Sequence, residues 1–335
     1  MTDTPPPEFT AASVNLASPR LGAEVVFASD EFFGAKERMI QDAEPVFIPD
    51  KYDTHGKWMD GWESRRRRDG GHDYCVIRLD TRGVIEGFDV DTRHFTGNHP
   101  PHVSIEGALT EDHTHEDTQW TELVPKTAVN ADSHNYIEAD CPDRFNHVRL
   151  HIYPDGGVAR LRVYGRPLPA WERDGPAGVH ELSALGNGGR IVGYNDAHYG
   201  SPWVILTPGR GTDMGDGWET RRRREPGNDW IVVALGAQGT VERLEIDTAH
   251  FKGNYPDRAS VEGISLAGGG DESGLLGDGA DWRCVMPEEK LEMDKIHTFE
   301  GDQVHDIGPV THLRLSIYPD GGVSRFRAFG KPVRD

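Results

Sequence analysis

The chain has 335 residues and carries 36 Lys and Arg against 56 Asp and Glu, a formal net charge of −20. That sign repels phosphate backbones and anionic bilayers, so nucleic acid and membrane surfaces are excluded as partners. Three cysteines supply no disulfide framework, and two cores of about 150 residues each can be buried without staples.

Residues 1–20 have neither a basic start nor an apolar stretch, and nowhere do 18 apolar residues follow one another. An N-terminal extension on a soluble, cytoplasmic protein is expected. In the first repeat, residues 21–168, Tyr74 to Leu79 is a nearly continuous apolar run, as a strand covered on both faces would be, while Val84 to Val90 is mixed. Cys75 lies in that run and reads as a core thiol. The acidic, His-rich stretch Glu111 to Asp117 reads as a solvated loop. Further on, Val148, Leu150 and Ile152 alternate with His147, Arg149 and His151, which places His147 on an exposed face. Pro154-Asp155-Gly156-Gly157 then makes a turn, and Leu161 and Val163 continue the apolar side, predicting a hairpin. Residues 169–185, with Pro169, Gly175, Pro176 and Gly178, carry little pattern and are predicted to be a linker pinned by Trp171.

Residues 186–335 then say the same thing again. The block 60–107 recurs at 216–263, a constant offset of 156, with 24 of 48 positions identical, and HVRLHIYPDGGVARLRVYG returns as HLRLSIYPDGGVSRFRAFG. A period this long is a domain duplication, because solenoid repeats run to ~20 to 50 residues. With 40 Gly and 22 Pro punctuating short strands, the pattern predicts an all-β chain of two tandem jelly-roll β-sandwich domains.

Polar residues kept in both copies are the candidate site. Asp60, Gly61, Trp62, Glu63 and Arg65 to Arg68 match Asp216, Gly217, Trp218, Glu219 and Arg221 to Arg224. On a strand the arginines alternate, placing Glu63, Arg65 and Arg67 on one side and Trp62, Arg66 and Arg68 on the other. Guanidinium is a natural clamp for a planar carboxylate, whereas the structural alternative is ion pairing with Glu63 and Asp69. The second block, Asp91-Thr92-x-His94-Phe95-x-Gly97-Asn98, matches Asp247-Thr248-x-His250-Phe251-x-Gly253-Asn254, with Glu106 and Glu262 ending the next strand. Here His can transfer protons, a carboxylate can orient it, and Asn can read a urea-like group. Asp91 and Thr92 capping a turn, Asn98 in a left-handed position and His94 in a polar niche is the structural alternative.

The doubled DGWExRRRR, DTxHFxGNxP and IYPDGG segments, in order and over residues 21–335, resemble the allantoicase family. The resemblance implies jelly-roll modules of the galactose-binding type, a homo-oligomer, and a hydrolase that splits allantoate into ureidoglycolate and urea. For that chemistry the candidate acid and base groups are His94, Glu106, Asp91, His250 and Glu262. Candidate substrate-binding residues are Arg65, Arg67, Asn98, Trp62, Asp60, Arg221 and Asn254. A divalent cation, Mn or Mg, would polarise a ureido oxygen, yet no ligand spacing requires one. Because Arg93, His99 and His102 near His94 become Ala249, Tyr255 and Arg258 near His250, the first copy is expected to carry the chemistry. The rival reading is a tandem carbohydrate- or small-anion-binding module, for which Trp58, Trp62, Trp120 and Trp203 would serve.

Overall fold

The computed structural model describes residues 5–114, 117–173, 175, 178–266, 270–277 and 279–333. His115 and Glu116 of the expected solvated loop, and Pro176 of the expected linker, lie outside them. The chain divides into two compact units, Met1–Pro167 and Leu168–Asp335. In the first, α1 (Glu8–Ala12) precedes β1 (Val14–Asn15), β2 (Glu24–Ala28), β3 (Tyr52–Asp53), β4 (Gly56–Lys57), β5 (Trp62–Glu63), β6 (Asp73–Asp91), β7 (His102–Ala108), β8 (Thr121–Ala128), β9 (Tyr136–Glu138), β10 (Arg144–Tyr153), β11 (Gly157–Val158) and β12 (Arg160–Pro167). In the second, α2 (Ala170–Arg173) precedes β13 (His180–Glu181), β14 (Arg190–Tyr194), β15 (Trp218–Glu219), β16 (Asp229–Asp247), β17 (Arg258–Ile264), β18 (Arg283–Lys290), β19 (Ile296–Glu300), β20 (Val310–Tyr318), β21 (Gly322–Val323) and β22 (Arg325–Pro332).

One long strand organises each unit. The first half of β6 pairs antiparallel with β2 and β10, β10 with β7, and β7 with β8. Its second half pairs with β12 and β9, and β12 with β1. The two halves thus belong to two layers, and the core lies between them: Ile77, Ile105 and Leu150 from one, Phe88, Val90 and Val163 from the other. The strand passes between layers at Gly83, where an added Cβ would stand 2.5 Å from the Arg166 carbonyl oxygen. A single 19-residue strand therefore replaces the two separate stretches seen in the sequence. The second unit repeats the plan, with β16 pairing with β14, β20, β22 and β19.

The expected hairpin is not one. β10 pairs mainly with Asp73 to Arg78, touching Gly83 and Val84 only at its first two residues, whereas β12 pairs with Gly83 to Asp91, so the turn 154–157 carries the chain across the sandwich. Alternation fixes which face a strand buries but not which strand lies beside it. Each repeat also begins earlier than its pattern: β1, inside residues 1–20, pairs with β12, and β13, inside 169–185, pairs with β22. Two-residue strands are too short to show a period. Trp171 stands edge-on to His180 at 5.9 Å.

His147 and its counterpart His312 are only 2% and 5% exposed, which corrects the expectation of an exposed face. The loops after β7 and β17 fold back over them, bringing the His113 ring within 5.4 Å of His147 and Glu272 within 3.1 Å of His312. Cys75 is fully enclosed, and burial pushes its thiol far above the usual range, as a core thiol requires. No described helix is long and apolar enough to cross a membrane.

Candidate functional site

Three of the doubled residues build a frame. Trp62 is fully buried and donates its indole N–H to the Asp30 carbonyl at 2.8 Å, and Trp218 does the same to Asp196. Neither presents a ring to a ligand, so Trp62 is a packing residue. Asp60 accepts at 2.8 Å from Arg160, itself 2% exposed, whose other N–H groups reach the Asp60, Ala159 and Ala43 carbonyls. Asp216 and Arg325 repeat the arrangement against Gly209. These arginines were identical in both copies, a signal available in the sequence but masked by the more conspicuous four-arginine run.

Asp91, His94 and Asn98 shape the loop that leaves β6. Asp91, 1% exposed, accepts from the backbone N–H and guanidinium of Arg93, and Thr92 donates to the Asn130 carbonyl. His94 and His250 both adopt positive φ, 71° and 69°, a conformation uncommon outside glycine. Their backbone N–H groups donate to Asp132 and Asp294, and their Nε2 atoms lie 3.1 and 2.8 Å from the carbonyls of Pro45 and Gly211. The two histidines thus share one backbone conformation and one ring hydrogen bond, and the His94 ring in addition stacks on Phe47 at 5.9 Å. Asn98 donates its amide to Glu63 at 2.7 Å, and Asn254 bonds Glu219 likewise. Burial raises the Glu63 carboxyl above its ordinary value against that hydrogen bond.

Past β5 the arginine run leaves the sheet, so its members do not alternate as on a strand. Arg65 bonds Asp30 through both its backbone and its guanidinium, and Arg221 bonds Asp196 in the same way. Burial would push the Asp30 carboxyl up, yet these bonds hold it below its ordinary value. Arg67 spans Asp69 and the buried Asp73, and Arg223 meets Asp229 at 2.7 Å. Arg65, Arg67 and Arg221 are therefore committed to ion pairs. Among the described residues, the exposed side chains of Arg66, Arg68, Arg222 and Arg224 form none.

Glu106 lies elsewhere, on the outer face of the sheet formed by β6, β10, β7 and β8. It faces Arg149 across the β7–β10 pair and accepts from Arg149 Nε at 2.7 Å and from His151 Nε2 at 2.8 Å. His151 Nδ1 in turn lies 2.9 Å from His72 Nε2. Burial alone would raise the Glu106 carboxyl, but the hydrogen bonds from His151 and Arg149 prevail and lower it. Glu262 keeps the equivalent bond to Arg314 at 2.9 Å. Neither His72 nor His151 stood out in the sequence, because each is replaced in the second copy.

Among the described residues, one group of three side chains has ligand atoms within 4.8 Å of one another: Glu44, Asp91 and His134. Arg93 bonds both carboxylates, and Asp89 lies 2.7 Å from His134 Nδ1. A guanidinium therefore already supplies positive charge there. In the second unit Ala249 stands where Arg93 does, and Arg210 reaches Asp247 at 3.1 Å from another loop.

Comparison with known proteins agrees over both units. The allantoicase repeat matches residues 14–168 and 180–333. A probable allantoicase of Burkholderia mallei is 53% identical over 331 residues, spanning 98% of each chain, and one of Ralstonia nicotianae is 51% identical, spanning 97% of this chain and 96% of its own. The crystal structure of the Saccharomyces cerevisiae allantoicase superimposes with a TM-score of 0.81 at 34% identity, covering 96% of both chains. With the duplicated sandwiches and the doubled polar blocks all included in these matches, the chain belongs to the allantoicase family.

Proposed function

We propose that this chain is an allantoicase, hydrolysing allantoate to ureidoglycolate and urea in purine degradation. The observation that carries the reading is the allantoicase repeat matched in both halves, with about half the residues shared along nearly the whole length of the curated relatives. In allantoate one carbon bears a carboxylate and two ureido groups. Urea leaves only if its nitrogen gains a proton while water loses one on attack. In this reading Arg66 and Arg68, exposed and unpaired, take the substrate carboxylate. Asn98, whose amide nitrogen is held by Glu63, offers its oxygen to a ureido N–H. Glu106 belongs to the proton-handling group. A cytoplasmic homo-oligomer is part of the same reading.

A urease-coupled assay tests it. Ammonia released from allantoate, and none from allantoin, is the expected result. Silence with allantoate, together with saturable binding of an oligosaccharide, would give the chain to the carbohydrate-binding alternative.

A further inference from the structure

We propose that His72 and His151, aligned by Glu106 and Arg149 on the outer sheet face of the first unit, form the general-base relay of allantoate hydrolysis, with His72 Nδ1 receiving the proton of the attacking water. This deepens the allantoicase reading and rests on it. The direction of the relay follows from hydrogen-bond bookkeeping. An ionised carboxylate only accepts, so His151 must present Nε2–H to Glu106 at 2.8 Å. Its Nδ1 is then bare and accepts Nε2–H from His72 at 2.9 Å. The lone pair left at the end of the chain is His72 Nδ1. Arg149, 2.6 Å from Glu106, keeps that carboxylate charged and fixed.

The surroundings favour neutral rings ready to accept. Burial lowers the ordinary value of both histidines, aided at His72 by the positive charge of Arg67. The charged and titratable groups facing the pair are Arg67 in the run before β6, Asp73 at the start of β6, Tyr74 on β6, His102 and Glu106 on β7, Glu122 and Lys126 on β8, and Arg149 and Tyr153 on β10. The arginine run that holds the unpaired Arg66 and Arg68 leads through Asp69 to Gly71 directly into His72, and Arg67 donates to the His72 carbonyl at 2.9 Å. The carboxylate clamp and the base thus come from one stretch of chain.

The second unit supplies an internal control. It keeps the scaffold of this face: Glu262 with Arg314, Arg314 over Trp282 at 5.0 Å as Arg149 lies over Trp120 at 4.2 Å, and Ser260 with Tyr318 at 3.0 Å as Ser104 lies with Tyr153 at 2.9 Å. The two imidazoles are replaced by Asn228 and Ser316, and around them His102, Glu122 and Lys126 become Arg258, Cys284 and Glu288. The ion pair, the arginine over tryptophan and the Ser–Tyr hydrogen bond all persist there without imidazoles, so the scaffold of this face does not need them.

In the step itself, the water oxygen forms a bond to the central carbon as the bond to one ureido nitrogen breaks. The water proton passes to His72 Nδ1, and the charge is shared with His151 beside Glu106. The departing nitrogen takes that proton back and leaves as urea, so no oxidant or further reactant is needed.

The test compares full-length wild type, His72→Gln, His151→Gln, Glu106→Gln and the second-unit control Asn228→Ala for urea release from allantoate across pH, with thermal melting of each. The relay requires His72→Gln to lose about 100- to 10,000-fold in kcat with KM little changed. It also requires the low-pH limb of the wild-type kcat/KM profile to disappear in that variant, and Glu106→Gln to shift that limb. Asn228→Ala should stay within about twofold. Folded His72→Gln and His151→Gln proteins that keep activity within tenfold, or that keep the wild-type pH limb, would overturn the relay while leaving the allantoicase reading intact. If the glutamine variants fail to melt cooperatively, His72→Asn and His151→Asn take their place under the same criteria. A wild-type protein silent on allantoate would overturn both.

Discussion

At the scale of single residues, the doubled polar positions separate into those that hold the fold and those left free for a ligand. Arg160 and Arg325 are the clearest holders. Each is buried, each bonds an aspartate and carbonyls from two different loops, and removal of either takes the guanidinium out of a buried ion pair. Breaking a buried pair from one side costs about 3–5 kcal/mol. Arg160→Ala and Arg325→Ala should therefore each lower stability in denaturant titration by that order, and a change below 1 kcal/mol would show the pairs to be energetically idle. His94 and His250 have matched positive φ and matched Nε2 hydrogen bonds to a backbone carbonyl. His94→Gln and His250→Gln should accordingly cost a similar ~1 kcal/mol each, the worth of a hydrogen bond, while urea release per folded molecule changes less than tenfold. A large, selective loss for His94→Gln would return the chemistry to that loop.

At the scale of elements, the crossing turn between β10 and β12 depends on close approach. A Cβ added to Gly157 would stand 2.0 Å from the Phe95 ring, and one on Gly322 would stand 2.1 Å from Phe251. Gly157→Ala must displace a ring that is fully buried, and overpacking of this kind costs about 1–3 kcal/mol. Calorimetry of the variant should show a lower Tm, and an unchanged Tm would mean that the turn yields freely. β10 also carries a pH dependence. Burial, reinforced by the charge of His113, pushes His147 down to about 4 from its ordinary 6.5. The unfolded chain therefore takes up the proton first, and the stability present above pH 6.5 is lost as pH falls toward 4. His147→Gln should flatten that part of the Tm-against-pH curve, and an identical curve would assign the acid sensitivity to other groups.

At the scale of the whole molecule, each unit has its own enclosed core and its own central strand. A unit of this size with a complete core folds alone as a rule. Residues 168–335 expressed separately should give a cooperative melt and a β-type circular dichroism spectrum, yet release no urea, since Asn228 and Ser316 stand where the first unit has its imidazoles. Urea release by that half would place a working site in the second repeat.

The sequence by itself determined the duplication, the all-β class, the allantoicase resemblance and the list of polar residues worth asking about, because identity between copies and strand alternation are local properties of the chain. Only the tertiary structure decided which of those residues are spoken for. Trp62 and Asp60 look as exposed in a one-dimensional pattern as Asn98 does, but burial and partner choice depend on residues 32 and 100 positions away. The same holds for strand neighbours: alternation in β10 and β12 gave their inward faces, while β6 lying between them turned an expected hairpin into a crossing. The Glu106, His151 and His72 chain was invisible for a related reason. Its members come from three segments brought into register by the β6–β10–β7 ladder, and hydrogen-bond continuity exists only once that register is set.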